Sequence, residues 1–252
     1  MSEKLRNQAR KLKLSYTSQY IEEHIEAAQR DNESIESFLE NLFDHELALR
    51  HENSVIKRIK QANFPYYKYL DQLNIDALPK EANLAYHHVQ DLRFISERQN
   101  IIMAGNPGTG KTHLSIGLGI KAAQKGYKVY FAHVPSLVVE LKESRNERRL
   151  IAFKRKIQKY DLIILDELGY VSFDKEGAEL LFNIISERVE RASTIITTNL
   201  AFDRWEEIFH DPVITAAIVD RITHKSYVLN MNGTSYRYRE QKSFLAKNQS
   251  TN

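Results

Sequence analysis

The spacing of apolar residues changes character near residue 100. Residues 1–62 contain neither Gly nor Pro. Within them Ile21, Ile25 and Ala28 recur at helical spacing, and Ile35, Phe38, Leu39, Leu42 and Phe43 do so after a polar break at Asp31 and Asn32. This predicts a small bundle of three or four helices, closed by Pro65. Residues 63–83 (NFPYYKYLDQLNIDALPKEAN) read as a tether whose tyrosines pack on the next domain, and a helix is expected over 84–97. Beyond residue 100, short apolar runs at 101–104, 129–132, 162–165, 194–197 and 227–229 alternate with amphipathic stretches of helical length. Strands alternating with helices make βαβ units, hence an α/β fold with a parallel sheet covered on both faces. The expected domains are 1–62 (helical), 63–83 (linker), 84–232 (α/β) and 233–252, a polar and partly loose tail.

Composition narrows the class only a little. With 252 residues, 42% hydrophobic and 27% charged, the chain has the make-up of a globular protein. No apolar run approaches the roughly 18 residues of a membrane span, and the basic N-terminus lacks the apolar region of a secretory signal. The absence of cysteine excludes disulfides and thiolate metal sites and fits a cytoplasmic location. A net charge of +3 does not by itself imply a nucleic-acid partner.

The chemistry begins at residues 105–112, GNPGTGKT. Gly105, Asn106, Pro107, Gly108, Thr109, Gly110, Lys111 and Thr112 match the phosphate-binding loop in full, between an expected strand and an expected helix running to about Gly126. Glycines let successive N–H groups face one anion, and the helix N-terminus adds partial positive charge. Lys111 is placed to reach the β- and γ-phosphates of ATP, and Thr112 to offer a hydroxyl to Mg²⁺.

Residues 160–170, YDLIILDELGY, decide what is done with the nucleotide. Asp166 ends a buried strand, where a carboxylate holds Mg²⁺ beside such a loop. Glu167 follows it, and a hydrolase needs a carboxylate to polarise the attacking water. Asn199 ends the next strand and either hydrogen-bonds that water or a γ-phosphate oxygen, or is simply a turn residue.

Together these elements resemble the AAA+ class of ATPases. The runs DLIILDELGYVSFDKEGAELLFNIISER, STIITTNL and DPVITAAIVDRITHKSYVLNMNGTSYR narrow the likeness to IstB-type transposition helper ATPases of bacterial insertion sequences, with DnaC-type helicase loaders and DnaA-type initiators as relatives. The N-terminal region and FPYYKYLDQL share the resemblance, which covers nearly the whole chain. Ala201 stands where the family often has proline.

The resemblance implies self-assembly into a ring or spiral with ATP at subunit interfaces. Arg221 falls where initiators and loaders carry the arginine that reaches a neighbour's phosphates. Read alone, it follows a helix over 212–220 and equally complements that helix's dipole. Only about 20 residues follow the last expected strand, too few for the helical lid of many AAA+ proteins, so that lid is expected to be missing, and Arg237 is a candidate for part of its role.

Residues 142–159 hold eight basic residues against two acids. Initiators and loaders place a nucleic-acid-facing insertion here, so Lys142, Arg145, Arg148, Arg149, Lys154 and Arg155 are candidate phosphate contacts, with a plain solvated helix face as the alternative. Further basic residues (Arg6, Arg10, Lys11, Lys13, Lys57, Arg58 and Lys60) clamp DNA or contact a protein partner.

The expected function is an ATP-hydrolysing, sequence-nonspecific binder of double-stranded DNA that deforms it and recruits or stimulates a transposase, without membrane association. The alternative is a helicase loader. A small-molecule kinase is disfavoured by Glu167 and the basic stretch.

Overall fold

The computed structural model describes residues 2–238 and 241. The chain forms two compact units, Met1–Lys57 and Arg58–Asn252. The first holds helices α1 (Ser2–Lys11), α2 (Ser15–Arg30) and most of α3 (Ile35–Gln61), within which the division falls. Leu14 gives α2 no side-chain cap. Glu46 of α3 replaces it, accepting hydrogen bonds from the Ser15 and Thr17 amides at 2.9 and 3.1 Å. Ile21 and Leu42 are buried, whereas Ile35, Leu39 and Phe43 stand exposed, so the helical spacing of α3 does not all become core.

The second unit is built on five parallel strands: β1 (Asn100–Ala104), β2 (Val129–His133), β3 (Leu162–Leu168), β4 (Ser193–Thr198) and β5 (Ser226–Asn230), in the order β2-β3-β4-β1-β5. All five lie at the expected apolar runs. Successive residues face opposite sides. Ile101 and Met103 join Leu114, Leu118 and Phe94 in one cluster, while Ile102 joins Leu137, Leu181 and Ile218 in the other. β1–β4, covered on both faces, read as unbroken apolar runs, whereas on the edge strand β5 Val228 stands exposed.

The helices are α4 (Lys80–Val89), α5 (Arg93–Ser96), α6 (Lys111–Gln124), α7 (Val134–Asn146), α8 (Leu150–Ile157), α9 (Lys175–Arg188), α10 (Glu206–Phe209) and α11 (Pro212–Thr223). The single helix expected over 84–97 is instead α4 and α5. It starts directly after Pro79, and Leu92, buried at 3% exposure, breaks it with a left-handed backbone (φ 69°). The tether's tyrosines also depart from expectation: Tyr66, Tyr67 and Tyr69 are exposed. Phe64, Leu70, Leu73 and Ile75 do the packing, and the missing side chains of Gly117 and Gly119 on α6 leave room for Leu70 and Phe64.

Asp211 caps α11 by accepting from the Val213 and Ile214 amides at 2.8 and 2.9 Å. This helix runs to Thr223, so Arg221 lies within its last turn rather than after it. After β5 the chain returns over the phosphate-loop region: the Met231 amide donates to Ala104 O (2.7 Å) and the Tyr236 amide to Gly108 O (2.9 Å). Most of the expected loose tail, 239–240 and 242–252, lies outside the described residues.

Candidate active site

β1 delivers Gly105 to the C-terminal edge of the sheet, and the loop to Gly110 turns the chain into α6. Gly108 and Gly110 have φ of 79° and 96°, backbone that favours glycine. Thr109 Oγ1 braces the turn by donating to Asn106 O at 2.8 Å. Lys111 is 6% exposed and folds back over the loop, its Nζ donating to Gly105 O (2.6 Å) and Asn106 O (2.7 Å). Burial pulls this ammonium down to about 8. Its Nζ is held by backbone carbonyls, and no ion pair involves it among the described residues, although the charges of Asp166 and Glu167 act on it.

Opposite it stands a desolvated anion. Asp166 is 4% exposed, and burial raises its carboxyl above the ordinary value. Thr112 Oγ1 lies 3.1 and 3.2 Å from its two oxygens, and Thr197 Oγ1 donates to Oδ1 at 2.6 Å. The Thr197 hydroxyl also accepts from the Glu167 amide at 2.9 Å. One buried hydroxyl thus joins β3 to β4 and fixes two consecutive acidic residues. The ladder is irregular between Leu165 and Leu168, and Glu167 adopts φ 64°, which turns its side chain out of the strand's alternation.

The freed Glu167 carboxylate meets His133 at the end of β2, with Nε2 to Oε2 at 2.8 Å. His133 Nδ1 lies 3.1 Å from Ser136 Oγ in the first turn of α7. Asn199 follows β4, and its Oδ1 is buried with no hydrogen-bond partner among the described residues. A cavity of about 390 Å³ opens beside Lys111 and Thr112, walled by Glu167, Tyr66, Tyr170 and Arg237.

The structure therefore brings the loop residues, Asp166 and Glu167 together, and adds Thr197 and His133, which the sequence reading passed over. Thr197 was open to detection as a hydroxyl near the end of the strand that pairs with Asp166. His133 was visible only as the residue ending β2, and its partnership with Glu167 depends on parallel register.

Arg221 is not part of its own chain's cavity. It sits against α9, donating to Ser186 Oγ at 2.8 Å and lying 5.1 Å from the Phe182 ring centroid. Its neighbour Ile222 is within reach of Asn100, the first residue of β1, whereas the phosphate loop follows the last. About 13 Å of strand separates those ends.

The basic stretch forms α7, α8 and the turn between them. Four of the six candidate contacts are engaged in ion pairs: Lys142 with Asp174 (2.6 Å), Arg145 with Glu176 (3.3 Å), Lys154 with Glu187 (2.7 Å) and Arg149 with Glu147. Arg148 and Arg155 are exposed, and no ion pair or side-chain hydrogen bond involves them among the described residues.

A magnesium–nucleotide fits this donor set. Thr112 and Asp166 offer the hard oxygen ligands such a cation takes, beside a loop and a buried lysine suited to phosphate. The raised Asp166 and lowered Lys111 each describe a buried charge whose counter-charge that ligand would supply.

Residues 7–244 match the family model described as IstB-like ATP binding protein. A protein of insertion sequence IS21 from Pseudomonas aeruginosa, named for ATP binding, is 35% identical over 232 residues, covering 92% of this chain and 88% of that one. A counterpart of IS5376 from Geobacillus stearothermophilus is 34% identical over 242 residues, 96% of each. Among solved structures, a DnaC helicase loader superposes with a TM-score of 0.53 at 22% identity, covering 72% of this chain and 98% of that one. DnaA from Aquifex aeolicus with AMPPCP gives 0.56 at 19% identity, over 73% and 56%. These likenesses show the fold, the AAA+ α/β sheet expected from the sequence.

Proposed function

The chain belongs to the family of IstB-like ATP-binding proteins, and on that premise we propose that it is a cytoplasmic ATPase that assembles on double-stranded DNA, deforms it and recruits or stimulates a transposase. The observation that carries the hydrolytic part is the Thr112–Asp166–Thr197–Glu167 array. An array that only binds needs no second carboxylate aimed at the cavity, whereas Glu167 is turned toward it by its backbone and held by His133.

Lys111 leaves the Gly105 and Asn106 carbonyls for the β- and γ-phosphate oxygens, gaining anions in direct contact. Thr112 and Asp166 would hold Mg²⁺, which would neutralise phosphate charge when bound. Glu167 orients a water on the γ-phosphorus and takes its proton as the bond to the bridging oxygen breaks, giving ADP and phosphate. Asn199, whose buried Oδ1 has no partner among the described residues, is assigned the hydrogen bond to that water, which requires it to turn toward the cavity on nucleotide binding. Arg221, remote from its own loop, acts on the nucleotide of a neighbouring copy, which is why the protein must assemble to turn over.

The free cations of the α7–α8 region support DNA binding without base readout. Lys142, Arg145 and Lys154 then brace these helices on α9, and Arg148 and Arg155 are the leading phosphate contacts. The test is sedimentation with fluorescent random-sequence duplex, with and without a non-hydrolysable ATP analogue. Nucleotide-dependent, higher-order complexes on duplex, and pull-down of the transposase by them, are expected. Preference for single strand over duplex would assign the protein to helicase loading instead.

A further inference from the structure

We propose that Ile151, on the solvent face of α8, is an apolar wedge that enters a base step of duplex DNA between the flanking guanidiniums of Arg148 and Arg155. This rests on the DNA-binding reading above. Leu150, Phe153 and Ile157 supply the face of α8 that packs on the domain core. Ile151 takes no part in it and is 68% exposed, beside an exposed Ala152. Single exposed apolar residues are ordinary on protein surfaces. What distinguishes Ile151 is its setting.

Unpaired cations flank it along the chain. Arg155 lies one helical turn on, and Lys156 and Lys159 are likewise exposed without a partner among the described residues. Arg148 lies in the preceding turn at φ 58°. The paired cations Lys142, Arg145 and Lys154 instead tie the region to acids of the α9 segment. Arg148 and Arg155, which flank Ile151 in sequence within about one turn, thus keep their charge free among the described residues, and an apolar tip flanked by two free guanidiniums complements a base step between phosphates. Isoleucine is among the side chains that proteins insert this way, kinking the duplex.

A wedge also needs a stiff mount. Arg188, 3% exposed, donates to Ile157 O (3.2 Å), Tyr160 O (3.1 Å) and Ser193 O (2.9 Å), binding the end of α8 to the start of β4. That spends a buried cation on the backbone around one short helix.

The experiment uses the full chain with a non-hydrolysable ATP analogue and a duplex of about 30 base pairs carrying donor and acceptor dyes at its ends. Ile151→Ala is compared with Ile151→Leu, with Arg155→Ala, and with Val213→Ala as an equally surface-borne control at 76% exposure. Ile151→Ala should weaken binding about tenfold by the same factor at every salt concentration. The salt slope stays unchanged, because no phosphate contact is lost, and the bound duplex is straighter by energy transfer. Ile151→Leu keeps both properties. Arg155→Ala lowers the slope by about 0.9 for each contact removed. Binding and bending of Ile151→Ala equal to those of Val213→Ala would overturn the wedge, as would a changed slope. A wild-type protein that binds no duplex at any salt would sink the DNA-binding reading itself.

Discussion

Replacing Thr197 by Val tests the array that holds both acidic residues. The side chain is 1% exposed and Val has its shape, so no cavity opens and only the hydroxyl is lost. That hydroxyl donates to the Asp166 carboxylate at 2.6 Å and accepts from the Glu167 amide at 2.9 Å. A hydrogen bond to a charged group contributes about 2 kcal/mol, and the stranded, partly buried amide costs about 1 kcal/mol. A loss of about 3 kcal/mol corresponds to a fall in melting temperature of roughly 6–12 °C for a domain of this size.

The pH dependence has a definite sign. Burial already holds Asp166 above its ordinary 3.8, so its ionised form weakens the nucleotide-free fold at neutral pH, and that weakness is relieved as pH falls through the raised value. The Thr197 hydroxyl opposes the rise; without it the carboxyl moves further up. The gap between variant and wild type should therefore narrow on acidification from neutrality toward the carboxylate range. Thermal unfolding without nucleotide, at about pH 7.5 and about pH 5, measures both effects, and Mg²⁺-dependent ATP binding should weaken in parallel. A variant that melts within about 2 °C of wild type at both pH values would refute the bridging role.

Lys111 is depressed to about 8 by burial, and phosphate restores its proton, so ATP binding near that pH should take up about half a proton. Calorimetry in buffers of different ionisation enthalpy reads this, and buffer-independent heats would contradict it. Lys111→Ala should bind no nucleotide. Arg221→Ala should keep near-normal ATP affinity but hydrolyse slowly, and mixing it with Lys111→Ala should restore part of the activity at mixed interfaces. Strictly additive loss in the mixture would count against a shared site.

The sheet was legible because strands buried on both faces must be continuously apolar, and the phosphate loop because its glycines answer a local backbone demand. Asp166 and Glu167 were readable from their place after the apolar run 162–165, although β3 continues through them to Leu168. What escaped depends on contacts distant in sequence. Leu92 breaks a helix because tertiary packing buries it in a left-handed backbone. The exposure of Tyr66, Tyr67 and Tyr69 follows from Phe64 and Leu70 fitting over the glycines of α6. Lys142, Arg145 and Lys154 looked equivalent to Arg148 and Arg155 until Asp174, Glu176 and Glu187 were placed beside them. His133 needed the pairing of β2 with β3 to reach Glu167.

The central claim is that Glu167 converts nucleotide binding into hydrolysis. The direct measurement is phosphate release by wild type and Glu167→Gln with saturating Mg-ATP and duplex, alongside ATP affinity for each. The amide keeps the side chain's size but is a far weaker base. The account predicts near-equal affinity and a turnover lowered by at least about 100-fold. Wild-type turnover in Glu167→Gln, or no hydrolysis by the wild-type protein on duplex, would contradict it.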